Sequence, residues 1–380
     1  MEVVRRDPDK AAVEREKPEL APTSEREQAR PKVKKPARSG QGERNVSLDV
    51  LRIAAVMGII AVHAIDGLET IHPLRDWVTR NVYYSMVRWS VPAFIMISGA
   101  LFLDHNRPLS TRRLFRHNVL RLVVAYCVWT TAYMPLLMAD NRDHLNIVLL
   151  FIKGPFHLWF LYMIVGLYVI VPLLRQITAN RRKEEYFLCL AFLTASAVPY
   201  LLRVISLLDE TTGDVLQYSY SQLGISLPVG FTGYFVLGHY LTAYSTDRRK
   251  KRLVYWLGAS STVLIAVATI GLSLKMGRFV FMLYEWLTPF AFLQSAAVFL
   301  YFTSRDWTCL KKHEDRLKKV SKLTFGIYLV HIMVMELIGR STTLPFPIIV
   351  IPAYCLVVFA LSFAAVTLLD RIPVVRKYAL

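Results

Sequence analysis

The sequence predicts an all-α polytopic membrane protein with about ten transmembrane helices and both termini in the cytoplasm. Three observations carry that expectation. Hydrophobic residues make up 54% of the 380 positions, and the mean hydropathy is +0.37, more apolar than a water-soluble chain of this length sustains. The apolar residues fall in blocks long enough to cross a bilayer core, which takes about 20 residues per helix. Lysine and arginine then alternate between successive loops, as cytoplasmic retention of positive charge requires. Composition also excludes other classes. With 17 Gly, 18 Pro, 4 Cys and 12% aromatic residues, the chain is not collagen-like, disulfide-stapled or wholly disordered.

Residues 1–44 are unlike the rest. They hold 12 basic and 9 acidic residues, with Pro8, Pro18, Pro22, Pro31 and Pro36 spread among them. So little apolar surface builds no core, and the segment reads as a disordered, charged cytoplasmic tail. No apolar stretch follows the start, so no secretory signal is expected. Residues 45–372 are expected to form one transmembrane domain, and 373–380 a short cytoplasmic tail.

The candidate spans run near 48–65, 82–103, 119–138, 157–176, 186–206, 223–244, 253–274, 279–302, 323–339 and 346–369. The first has Ser47 as a candidate cap and Asp49 in its first turn, where a carboxylate suits the helix dipole. The second ends in Pro92, Ser98 and Gly99; proline breaks the backbone ladder and Ser-Gly permits close helix contact. Leu145–Ile152 is too short to span and is expected at an interface. The fourth span opens with His157-Leu158-Trp159-Phe160, which fits an interfacial aromatic belt. His239 falls near the inner end of the sixth, Glu285 on the eighth, and His331 and Glu336 on the ninth.

Charge fixes the orientation. Arg112, Arg113 and Arg116 follow the second span, Arg181, Arg182 and Lys183 the fourth, and Arg248 to Arg252 the sixth. Lys311, Lys312, Arg316, Lys318 and Lys319 follow the eighth, and Arg371 and Arg376 the tenth. The other loops are poorer in base and carry Asp140, Asp143, Asp209, Glu210 and Asp214. Topology and lipid headgroups therefore account for most of the net charge of +18, and no nucleic-acid partner is expected. Cys127, Cys189 and Cys355 fall inside spans and no CxxC pair exists, so the cysteines read as small apolar fillers. There is no Walker loop, HExxH, GxGxxG or nucleophile elbow, and no metal is expected.

Ionisable groups inside a span are costly and are functional candidates by default. Arg52 and His63 are eleven residues apart. At about 100° per residue they share one face of the first helix, roughly 16 Å apart along its axis. A fixed cation at one end and a titratable imidazole deep in the membrane suit reagents that approach from opposite sides. The spacing also admits a plainer reading, with Arg52 snorkelling to headgroups and His63 hydrogen-bonded in the bundle. Arg113 and Arg116 are three apart, so on an α-helix they face the same way and can fork onto phosphate oxygens; ordinary topogenic charge explains them equally well. His63, His157, Glu285 and Glu336 form an expected outer cluster, with Asp66 or Glu336 orienting the His63 ring.

Several stretches together resemble the acyltransferase-3 family of integral-membrane acyltransferases. They are Asp49-x-x-Arg52-x10-His63, Pro92-x-Phe94-x-x-x-Ser98-Gly99-x-Leu101-Phe102, Arg113-x-x-Arg116, His157-Leu158-Trp159-Phe160-Leu161 and Phe325-Gly326-Ile327-Tyr328-Leu329-Val330-His331. The resemblance implies a multi-pass enzyme of the bacterial cytoplasmic membrane. Such enzymes move acyl groups, usually acetyl from acetyl-CoA, onto hydroxyls of cell-surface carbohydrates such as O-antigen, exopolysaccharide or peptidoglycan. It implies that Arg52 and His63 are the essential pair and that Arg113 and Arg116 handle the donor; the donor's thioester arm is expected beside Arg52. Catalytic roles for Asp49 and Glu336, and acceptor contacts by His157, Trp159 and Glu285, complete the expected site. The chain departs from better-known members in its charged N-terminal segment. It also ends about ten residues after the last helix, which favours a lipid-linked or diffusible saccharide as acceptor. A transporter or flippase of a glycan or lipid-linked sugar is the alternative, weakened by the lack of a visible internal repeat. A scaffold for glycan-assembly partners is a third reading.

Overall fold

The computed structural model describes residues 45–65, 68–71, 73–140, 146–222, 230–339 and 346–378. The expected tail 1–44, Asp66, Asp143 and the last residues, 379–380, lie outside the described residues. Among the described residues all regular structure is helical. In chain order these are α1 (Val46–Ala64), α2 (Leu74–Met86), α3 (Ser90–Phe102), α4 (Thr111–Ala139), α5 (Ile147–Lys153), α6 (Phe156–Thr178) and α7 (Arg181–Leu208). There follow α8 (Glu210–Ser221), α9 (Thr232–Ala243), α10 (Arg248–Met276), α11 (Pro289–Ser304), α12 (Glu314–Ile338), α13 (Pro347–Leu369) and α14 (Pro373–Tyr378).

Nine stretches of the described residues are long and apolar enough to cross a membrane. The chain is a multi-pass, all-α membrane protein. The remaining expected span, 223–244, corresponds to α9; residues 223–229 lie outside the described residues. The short stretch expected at an interface forms α5, whose Ile147, Val148, Leu149 and Ile152 are exposed. The loop after α7 also holds a helix that hydropathy did not signal, α8, capped by the Asp209 carboxylate accepting from the Thr212 N–H.

The helix α1 is the hub, packed against α3, α11, α12 and α13. Its cap is Asn45, whose side chain accepts from the Ser47 N–H at 3.0 Å, rather than Ser47 itself. Asn45 precedes the helix and Ser47 already lies in its first turn. The second expected span is broken into α2 and α3 at Val87–Trp89. Pro92 lacks an N–H and so cannot bond the Arg88 carbonyl, and the chain restarts as α3 after a turn. Next, α3 crosses α9 with almost no gap. A Cβ on Gly99 would fall 1.7 Å from the Phe235 carbonyl oxygen, and one on Gly238 2.0 Å from that of Met96. The close contact expected of Ser98-Gly99 is therefore made, and it places α9 in the interior, with Tyr234, Phe235 and Val236 fully buried.

The outward faces stay apolar. Leu253, Trp256, Val263 and Val267 on α10, and Ile349, Leu356, Leu361 and Leu368 on α13, are exposed. In water such a belt would aggregate; in lipid it is the solvated surface.

Candidate functional site

Two polar clusters lie at opposite ends of the seam where α1 packs on α12. At the first, the Ser321 hydroxyl on α12 donates to Asp49 Oδ1 at 2.6 Å. Arg52 Nη1 donates to the same Ser321 oxygen at 3.4 Å and stands 3.8 Å from Asp49 Oδ1. Asp49 and Ser321 are buried, whereas the Arg52 side chain keeps 24% of its surface exposed. Arg52 is thus anchored at its base and still accessible to a ligand. Tyr168 on α6 lies within hydrogen-bonding range of Ser98 and within electrostatic reach of both Arg52 and Arg121. The Arg121 guanidinium stands 5.8 Å over the Phe325 ring. Five helices, α1, α3, α4, α6 and α12, supply this cationic end.

Beyond it a cavity of about 250 Å³ is lined by Phe102, Arg107, Ser110, Arg113, Asn118 and Arg175, among others. Arg175 holds the α3–α4 loop by donating to the carbonyls of Phe102 (2.8 Å), Asp104 (3.1 Å) and Arg107 (3.2 Å). Ser110 caps α4 by accepting from the Arg113 N–H at 3.4 Å. The guanidiniums and the hydroxyl suit a phosphorylated ligand. Arg116 does not line this cavity. Leu114–Val119 is a π-helical stretch, and its i→i+5 turn removes the shared face that an α-helical step would give Arg113 and Arg116.

The second cluster is built from imidazoles. The half-buried His63 ring lies 5.3 Å from Phe156 and 5.3 Å from His331 on α12. His331 lies 5.5 Å from His157, and His157 lies 5.1 Å from Tyr133 and 6.0 Å from Tyr328. His331 Nδ1 donates to the Tyr328 carbonyl at 2.6 Å. That bond sets the neutral tautomer and leaves Nε2, which has no partner among the described residues, with its lone pair. Both ring nitrogens of buried His157 are likewise without a hydrogen-bond partner among the described residues. The Tyr328 hydroxyl donates to the His157 carbonyl, and the Tyr133 hydroxyl donates to the Leu329 carbonyl (2.9 Å) while accepting from the Met333 N–H (3.0 Å). The first of these bonds fixes the 156–159 segment against α12, and the other two fix α4 against it.

The expected site residues separate into groups. Arg52 and Asp49 meet at one end, and His63 and His157 meet at the other, through His331. Trp159 is 40% exposed and forms an aromatic wall with Phe231 (5.7 Å) and Trp286 (6.3 Å). Glu285, beside Trp286 in sequence, forms an ion pair with Arg203 of α7. Glu336 lies on the exposed side of α12, within electrostatic reach of Tyr133; five residues beyond His331, it is about 140° around the helix from it. Asp66, the other carboxylate expected near His63, lies outside the described residues. Sequence reasoning assigned no role to His331, Tyr133, Ser321 or Arg88. The spacing Ser321, Phe325, Tyr328, His331 is a helical stripe that marks the α12 face turned to α1. Among the described residues no three His, Cys, Asp or Glu side chains are grouped to hold a metal ion.

A family model described as an acyltransferase domain, of the acyltransferase-3 type, matches residues 45–367. No curated protein and no solved structure matches the chain.

Proposed function

The chain belongs to the acyltransferase-3 family, and on that premise we propose that this membrane acyltransferase moves an acetyl group from cytoplasmic acetyl-CoA to a hydroxyl of a cell-surface or lipid-linked carbohydrate, in the bacterial cytoplasmic membrane. One observation carries the reading. Arg52 and His63, eleven residues apart on α1, both meet the same face of α12, Arg52 at Ser321 and His63 at His331. The seam thus joins a cationic end to an imidazole end.

The chemistry follows from the groups at each end. Arg113, with the cavity beside it, and Arg116 receive the nucleotide phosphates of the donor. The thioester arm enters past Arg52, whose bond to Ser321 holds its guanidinium in the seam. The acceptor sugar lies against Trp159. A neutral imidazole of the triple, His63 at its open edge, takes the proton of the acceptor hydroxyl as the oxygen attacks the thioester carbonyl. A C–O bond forms, the C–S bond breaks, and the proton passes to the departing thiolate. His331, fixed in one tautomer, and His157 line one side of His63 with imidazole rings. A base in such surroundings is worth 10²–10⁴ in rate.

The test is transfer of labelled acetyl from acetyl-CoA to the saccharide fraction of membranes that hold the protein, together with thiol release. His63→Ala and Arg52→Ala are expected to lower transfer at least about 10²-fold, with membrane insertion and thermal stability close to those of the parent. Transfer at the parent rate in purified His63→Ala protein would remove His63 from the chemistry.

A further inference from the structure

One buried cation has no place in that scheme. Arg88 sits in the turn between α2 and α3 and is 1% exposed. Its Nε, Nη1 and Nη2 have no hydrogen-bond partner among the described residues. The guanidinium carbon stands 3.2 Å from the centre of the Trp286 ring and 4.8 Å from that of Tyr84. The Tyr84 hydroxyl lies within interaction range of the guanidinium, and the Tyr234 and Tyr284 hydroxyls lie within electrostatic reach of it, but none of them is hydrogen-bonded to its nitrogens.

Stacking satisfies the face of a guanidinium and leaves its edge donors open, because all five N–H bonds lie in the plane. A desolvated charge with open donors is strongly disfavoured unless an anion answers it. Glu285, the carboxylate next to Trp286, is paired with Arg203 instead. Trp286 Nε1 is also buried without a partner. Two kinds of buried donor thus lie together with no hydrogen-bonded acceptor among the described residues.

Its position gives it a use. Arg88 lies within electrostatic reach of His63. The Trp286 ring beneath it continues the wall that begins at exposed Trp159 and includes Phe231. Aromatic faces take the apolar face of a sugar ring, and at the buried end of this wall stands one open guanidinium.

We propose that the acceptor is an acidic saccharide, and that Arg88 binds its carboxylate or phosphate oxygens and so sets which hydroxyl meets His63. This rests on the acyltransferase reading of the same site and names its substrate class. The competing role is a purely structural one, with Arg88 stapling the α2–α3 turn to Trp286.

The test uses the full-length protein in detergent and three probes at constant ionic strength: methyl glucoside, methyl glucuronide and glucose 6-phosphate. Binding is read from the shift of the unfolding midpoint with sugar concentration. The acidic sugars are expected to bind at least about tenfold more tightly than methyl glucoside, the gain of a charged hydrogen-bonded pair. Whichever acidic sugar ranks first identifies the carboxylate or the phosphate as the preferred anion. Arg88→Gln should abolish the preference. Arg88→Lys, which keeps the charge but not the fork, should lower it several-fold, and decides the matter if Arg88→Gln does not fold. Three equal shifts in the parent protein, including none at all, overturn the proposal. So does a preference that the variants leave unchanged, since a staple would alter only their stability. Acetyl transfer is scored separately: its absence with the preference intact defeats the acyltransferase reading alone.

Discussion

Ser321 shows how a single hydroxyl organises a charge. Its O–H donates to Asp49 at 2.6 Å and its oxygen accepts from Arg52 at 3.4 Å, so it joins a buried carboxylate to a guanidinium whose side chain stays 24% exposed. Ser321→Ala removes one hydrogen bond to Arg52, along with the one to Asp49, and leaves the charge of Arg52. A bond of this kind is worth about 1 kcal/mol, which predicts a rise of about fivefold in KM for acetyl-CoA with little change in kcat. Steady-state kinetics at varied acetyl-CoA checks this; a fall in kcat alone would place Ser321 with the chemistry rather than with donor binding. His105, in the α3–α4 loop, gives a prediction about pH. Its Nε2 lies 3.1 Å from Thr178 Oγ1. Partial burial, and then the nearby Arg175 guanidinium, hold its imidazole below the usual 6.5. The unfolded chain therefore takes up this proton at a higher pH than the folded chain does. Stability falls as pH drops below about 6.5, and levels off once the folded-state value is passed. His105→Gln should flatten that part of a plot of melting temperature against pH between 7 and 5, the effect being small because the ring is exposed.

At the scale of elements, the α3–α9 crossing is the least forgiving contact. Backbone carbonyls of Phe235 and Met96 occupy the space a side chain at Gly99 or Gly238 would need. Gly99→Ala forces the two helices apart, and overpacking of this kind costs about 1–3 kcal/mol or more. The expected outcome is a clear fall in the melting temperature of the purified protein and in folded yield. Gly166→Ala, whose added Cβ meets nothing within 4 Å, serves as the control that should leave both unchanged. The sequence made this crossing legible on one side only. Ser98-Gly99 stands out after Pro92, but its partner is a glycine in a stretch that hydropathy treats as an ordinary span. The same limit governed the site. The 3.6-residue period put Arg52 and His63 on one face of α1, and the bundle kept them there. Which helix that face meets is a tertiary fact, so His331 and Ser321 carried no label. The loss of a shared α-helical face between Arg113 and Arg116 was not legible, because a π-helical stretch leaves no mark in apolar periodicity. Glu285 and Glu336 were grouped with the histidines by depth alone, and depth does not fix the direction around a helix axis.

For the molecule as a whole, charge settles the number of crossings more firmly than helix length does. Arg175 and Arg181 to Lys183 flank the α6–α7 junction, and Arg248 to Arg252 open α10. If both groups stay on one side, α7 must leave that side and the chain between 208 and 247 must return to it. In that interval α9 is the buried helix, although its 12 residues span only about 18 Å. Counting it as a crossing puts the basic starts of α4, α10 and α12 on one side, together with the Arg52 end of α1. Counting only the nine longer stretches would scatter these clusters over both sides. The consequence for function is direct. With acetyl-CoA as the proposed donor, polyanionic and confined to the cytoplasm, the Arg52 and Arg113 end would have to open there and the His63 and Trp159 end away from it. Reporter fusions decide the point. A fluorescent reporter that matures only in the cytoplasm should glow when fused after Ser245 or at the C-terminus. A phosphatase active only outside should work when fused within α8, near Thr211. The reverse pattern would leave the cationic cavity facing a compartment without donor, and the proposed direction of transfer could not hold.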